Sequence, residues 1–168
     1  MRARIAAQLP TRRQLLWKSL ALGAGLTLGK TATAIAADPS APHIHQEVDF
    51  KVNPVRIYEA LLDEKQFSAF TGAAAQIKRE LGGAFTLFGG RVIGRNVELM
   101  PNRRLVQAWR VETWPSGIYS NVKFELSEES TGTHIVFDHT GFPPEDQETL
   151  SANWPKFYWD PLRQYLGV

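Results

Sequence analysis

The chain has 168 residues, enough for one domain, and no cysteine, which excludes disulfides, thiolate metal sites and thiol nucleophiles. Its formal net charge is +2, but six of the 19 basic residues and none of the 17 acidic ones lie within residues 1–36, which leaves 13 against 17 beyond them. A remainder of net −4 lacks the basic excess of a nucleic-acid binder.

The first segment reads as a leader. Arg2, Arg4, Arg12, Arg13 and Lys18 come without an acid, an apolar run follows from Ser19 to Gly29, and small residues occupy Thr31 to Ala37. That order is an n-region, an h-region and a cleavage site, with Ala34 and Ala36 as the small pair before the cut. The apolar run is too short to span a bilayer, so no stable membrane span is expected in the mature protein. Thr11-Arg12-Arg13-Gln14-Leu15-Leu16 resembles the twin-arginine export motif, with Leu15 where that pattern prefers Phe. An ordinary secretory leader and a retained, uncleaved anchor are the other two readings. The expected layout is a twin-arginine signal peptide over 1–36, a linker over 37–43 and a domain over 44–168. The expected location is periplasmic or otherwise exported, with the twin-arginine machinery as a partner.

Beyond the linker, Ile44 to Val52 alternates apolar and polar residues and predicts a half-buried strand. Asn53-Pro54 predicts a capped helix to about Leu62, with Val55, Tyr58, Leu61 and Leu62 inward. A second short helix near Glu64 to Phe70 presents Phe67 and Phe70 and ends at Gly72. A meander of about six strands follows: Ala73–Glu80, Ala84–Phe88, Val92–Met100, Leu105–Thr113, Val122–Leu126 and Ile135–His139. Gly82-Gly83, Gly89-Gly90 and Pro101-Asn102 mark turns between them.

The last stretch, Glu145 to Leu166, places Leu150, Trp154, Phe157, Tyr158, Leu162, Tyr165 and Leu166 on one helical stripe. Glu148, Ser151, Lys156, Asp160 and Arg163 fall opposite. Pro144 suits the start and Gly167 the end, whereas Pro155 and Pro161 predict a kink or break near Asn153–Trp154. One strand, two short helices, a meander and a long aromatic helix make an α+β, helix-grip architecture. In it a curved antiparallel sheet of about six to seven strands wraps around the final helix.

Several stretches resemble the C-terminal domain of the activator of heat-shock-protein-90 ATPase. They are Ile93-Gly94, Glu98-Leu99-Met100-Pro101, Val106-Gln107-Ala108-Trp109-Arg110, Trp114-Pro115-Ser116-Gly117, Gly132-Thr133, Gly141-Phe142-Pro143 and Asn153-Trp154 to Phe157-Tyr158-Trp159. The resemblance runs from Ile44 to Leu166. It implies a START-like (SRPBCC) fold with a pocket between helix and sheet, and a co-chaperone-like interaction as one function.

No catalytic constellation emerges. Asp138 and His139 are adjacent on a strand and point to opposite faces. A lone inward His139 reads as a hydrogen-bonded core residue. His43 and His45 supply two metal ligands without a third, so no metal and no cofactor is expected. Glu145, Asp146 and Glu148 read as a solvated helix start. The aromatic set is either a solid core or a pocket wall. The pocket reading assigns Phe67, Phe70, Phe85, Leu87, Ile93, Val97, Trp109, Phe124, Phe137, His139, Trp154, Phe157 and Tyr158 to a site for a small hydrophobic molecule or lipid. An enzymatic reading would need Gln107, His139 and Tyr158 to converge.

Overall fold

A computed structural model describes residues 41–168. Arg12, Arg13, Ala34 and Ala36, read in the sequence as an export motif and cleavage site, lie outside the described residues, and so does most of the expected linker. Strand β1 covers His43–Phe50 and buries Ile44, Val48 and Phe50, as its alternation requires. Helix α1 (Pro54–Leu62) starts where Oδ1 of Asn53 accepts from the Arg56 amide at 3.1 Å. Its inner face is Ile57, Tyr58, Ala60, Leu61 and Leu62; Val55 sits on the other side of the turn and is exposed, against expectation. Helix α2 (Glu64–Thr71) buries Phe67 and Phe70.

Strands β2 (Gln76–Ile77), β3 (Ala84–Leu87), β4 (Val92–Met100), β5 (Arg104–Val111), β6 (Ser120–Glu129) and β7 (Gly132–Thr140) follow. With β1 they form one seven-stranded antiparallel sheet in the order β1-β7-β6-β5-β4-β3-β2. The expected strand over 73–80 shrinks to two residues. Since β1 and β2 are opposite edges, α1 and α2 carry the chain across the full width of the sheet.

The chain then closes with α3 (Gln147–Trp154), a π-turn (Pro155–Trp159) and α4 (Asp160–Leu166). At the place where a kink or break is expected, the α-helix gives way to the π-turn without leaving helical geometry: Trp154, Pro155, Trp159 and Asp160 all keep right-handed helical angles. Pro161 has no N–H for the carbonyl four residues back, and its ring crowds that carbonyl. The helix widens instead, with the Asp160 amide bonding the Pro155 carbonyl five residues back. The extra residue turns the helix surface. Trp159 is buried at 2% exposure, whereas Phe157 and Tyr165, expected inside, are 45% and 39% exposed. At Gly167 the left-handed angle (φ 76°) ends α4, and its amide caps the Arg163 carbonyl at 3.0 Å.

The concave face of the sheet and the final helix share an aromatic core. Phe137 and Trp154 have ring centres 4.2 Å apart, Trp154 and Tyr158 4.7 Å, and Phe124 and Phe137 5.2 Å. Among the described residues no helix is long and apolar enough to cross a membrane.

Candidate functional site

Strand β4 decides which side chains reach the interior. A bulge between Asn96 and Glu98 leaves Val97 unpaired against β5. Val92, Gly94 and Asn96 face inward, while Ile93 and Val97 are 36% and 50% exposed. Both are expected in the pocket; the strand's period of two, running from Val92, puts them on the outer face. Gly94 has no alternative: a Cβ there would stand 2.1 Å from the Ala108 carbonyl and 2.3 Å from the Phe85 ring. The absent side chain is the space that Phe85 fills.

At this end of the sheet a cleft of about 210 Å³ opens against the final helix. The sheet contributes Val92, Trp109, Val111 and His139, and the helix Leu150, Asn153, Trp154, Phe157 and Tyr158. Phe88 and Arg91, from the turn between β3 and β4, complete the wall. Phe88 holds φ at +53°, a left-handed angle that costs a side-chain-bearing residue on the order of 1 kcal/mol. Its ring is thereby packed against Phe67 and Tyr158, with centres 5.5 and 6.0 Å away.

Behind the cleft, His139 and Gln107 are each hydrogen-bonded at both ends of the side chain. The indole of Trp154 donates to Nδ1 of His139 at 3.2 Å. An indole nitrogen only donates, so Nδ1 is the acceptor and the ring proton sits on Nε2. Nε2 lies 2.8 Å from Oγ of Ser120, which is 3.4 Å from the Trp109 carbonyl. Burial pushes His139 down to about 3, so the imidazole is neutral at physiological pH. A second chain runs from Trp109 to Gln107 at 2.9 Å, from Gln107 to Asn96 at 2.9 Å, and from Asn96 to the Lys78 carbonyl at 2.9 Å. Burial also raises the Tyr158 phenol well above its ordinary value, so it stays protonated.

Of the residues assigned to the pocket, Trp109, His139, Trp154, Phe157 and Tyr158 line the cleft. Phe67, Phe70, Phe85, Leu87, Phe124 and Phe137 are buried in the core around it and do not line it. His139 and Tyr158 come together there, but Gln107 is held in its own chain, and His139 has both nitrogens occupied. The wall residues missed by sequence reasoning are Phe88, Arg91, Val92, Val111, Leu150 and Asn153. The cross-strand pair Val92 and Val111 follows from alternation once the register is known; Phe88 depends on its unusual backbone angle.

The outer face of the sheet is charged. A ladder of ion pairs crosses it from Glu98 through Arg104, Glu125 and Lys123 to Asp138. At the β1 edge Asp138 meets His43 and His45, the third potential metal ligand that sequence reasoning lacked. Burial opposes ionisation of Asp138, but hydrogen bonds from His45, Lys123 and His43 outweigh it and hold the carboxyl at about 2.

Comparison with known proteins matches residues 51–167 to the family model described as "Activator of Hsp90 ATPase homolog 1-like protein". Over 118 residues the chain is 25% identical to the human "Activator of 90 kDa heat shock protein ATPase homolog 1", covering 70% of this chain and 35% of that protein. Over 130 residues it is 30% identical to the "Hsp90 co-chaperone AHA1" of Saccharomyces cerevisiae, covering 74% of this chain and 37% of that one. The chain thus spans little more than a third of these relatives' length. The crystal structure of an HSP90 activator from Plasmodium falciparum superposes with a TM-score of 0.66 at 23% identity, over 74% of this chain and 94% of that chain. At that identity the likeness speaks for the fold.

Proposed function

This chain belongs to the Activator of Hsp90 ATPase homolog 1-like family, and we propose that it is a non-catalytic binding module whose cleft takes a ring-sized apolar group. The observation that carries this reading is the cleft itself: about 210 Å³, walled by Trp109, Trp154, Phe157 and Tyr158, with His139 tied up at both ring nitrogens behind it. A dry cavity of about 150 Å³ accommodates benzene, while sites for larger organic ligands run from about 300 Å³. The volume therefore favours a single aromatic or branched aliphatic group over a lipid chain. Phe157, half exposed at the rim, gives such a group an edge to slide past.

The experiment is a titration followed by two-dimensional NMR of the indole N–H groups. Trp109 and Trp154 both line the cleft and donate into the networks behind it. Toluene or p-cresol should shift these two signals saturably and leave Trp114 and Trp159 in place. Palmitate should not compete. Uniform shifts, or none, would count against the cleft as a binding site.

A co-chaperone-like role is the second reading. It is favoured by the names of the relatives, one an activator of a heat-shock ATPase and one an Hsp90 co-chaperone. We place it second because the leader motif around Arg12 and Arg13 supports export to the periplasm. Fractionation separates the two: a cytoplasmic, uncleaved protein that stimulates the ATPase of the cell's own Hsp90 would put the second reading first.

A further inference from the structure

We propose that His43, His45 and Asp138 form a site for a divalent ion of the zinc class on the outer face of the sheet, at its β1 edge. Alternation places the two histidines on one face, two residues apart, and the register sets Asp138 directly opposite His45. Nε2 of His43 lies 3.0 Å from Oδ1 of Asp138, and Nδ1 of His45 lies 2.7 Å from the same oxygen. All three donor atoms fall within 4.8 Å of one another. An ion with bonds of about 2.0–2.2 Å holds tetrahedral ligands about 3.3–3.6 Å apart. Closing the set around an ion thus needs side-chain rotations of roughly 1 Å and no movement of the ladder.

The surroundings orient each ligand as a metal site requires. Glu47 stands 3.5 Å from Nε2 of His45 and keeps a proton on that nitrogen, so that an ion displacing the proton Nδ1 shares with Asp138 meets a neutral ring with its other nitrogen already partnered. Lys123 holds Oδ2 of Asp138 at 2.9 Å, leaving Oδ1 free, and is itself shared with Glu125 at 3.0 Å. The His43 carbonyl accepts from Gln147 at 3.0 Å, tying the strand end to α3. The imidazoles are 49% and 47% exposed, so an ion has a path in and water can complete its shell. Two imidazoles and one carboxylate select zinc, nickel or copper over magnesium or calcium. The Lys123 charge opposes a dication and weakens the site.

The test is calorimetry on protein purified without an affinity tag and stripped with chelator, titrated with ZnCl2 and separately with MgCl2 at pH 7.5. One zinc per chain and no magnesium binding are expected. His45→Gln and Asp138→Asn should each weaken zinc at least tenfold, and His43→Gln likewise, with each variant's fold checked by circular dichroism. His134→Gln, the other partly exposed histidine on that face, should leave affinity unchanged. No saturable zinc binding would overturn the proposal. So would binding that survives both His45→Gln and Asp138→Asn, or that is lost with His134→Gln instead.

Discussion

Gln46 and Trp159 hold each other where the first strand meets the last helix: Oε1 of Gln46 accepts from the Trp159 indole at 2.6 Å. The amide nitrogen of the same side chain lies 3.4 Å from the Ser151 carbonyl. That carbonyl is the one Pro155, four residues on, has no N–H to serve. One glutamine on β1 thus attends both to the carbonyl left open by the proline and to the tryptophan that the π-turn brings inside. Gln46→Ala should cost about 1–3 kcal/mol, since it orphans a buried donor. Trp159→Ala should cost about 3–5 kcal/mol through the cavity left behind. Urea denaturation measures both; a Gln46→Ala change within about 0.5 kcal/mol would show that the pair is incidental.

The buried His139 gives a pH dependence of definite sign. Its folded value, about 3, lies below the ordinary 6.5, so the unfolded chain binds the proton first as pH falls. The stability it allows is therefore complete above about pH 6.5 and falls through the window down to about 3, by up to about 1.4 kcal/mol per pH unit. His45 and His134 are raised by hydrogen bonds to Asp138 and Asp49 and act in the opposite direction. The comparison to make is wild type against His139→Asn. The wild type should lose stability more steeply between pH 6.5 and the onset of acid unfolding. Parallel curves would mean that His139 is not held neutral.

Gly94→Ala should be among the costliest single-methyl additions in the chain. The new Cβ would meet the Ala108 carbonyl and the Phe85 ring well inside contact distance. The expected loss is about 3 kcal/mol or more, at the upper end of overpacking effects, because backbone and not a flexible side chain must give. Thermal melts check it. A near-neutral Gly94→Ala combined with Phe85→Leu would show that the ring carries most of the conflict.

The export reading makes its own prediction. Replacing Arg12 and Arg13 by lysine should leave a full-length, folded precursor in the cytoplasm, while the wild type is processed near Ala36. A sheet of non-local pairings folds slowly and exposes edges meanwhile, which favours a route that carries folded protein. Immunoblots of cell fractions decide it; normal export of the double-lysine variant would mean that the leader uses the general secretory channel.

Most of the architecture could be read from residue pattern. Alternation located β1, β5, β6 and β7, Asn53-Pro54 marked α1, and the aromatic stripe marked the closing helix. The errors have local causes. On β4 plain alternation from Val92 through Asn96 puts Ile93 and Val97 outside, and the unpaired Val97 then turns Leu99 toward the core. The π-turn exchanged Phe157 for Trp159, which no 3.6-residue count anticipates. The site was harder still. Phe88 enters the cleft wall on a positive φ angle, and the His43, His45 and Asp138 group needs residues 93 positions apart brought into register. Spacing along the chain carries no record of either.

The most direct measurement is anomalous diffraction from crystals soaked in bromobenzene. The cleft reading places one bromine peak between Trp109, Trp154, Phe157 and Tyr158, and Leu150→Trp, which fills that space from the helix side, should abolish it. No peak there, or peaks only on the outer face of the sheet, would contradict a ring-sized binding site between the helix and the sheet.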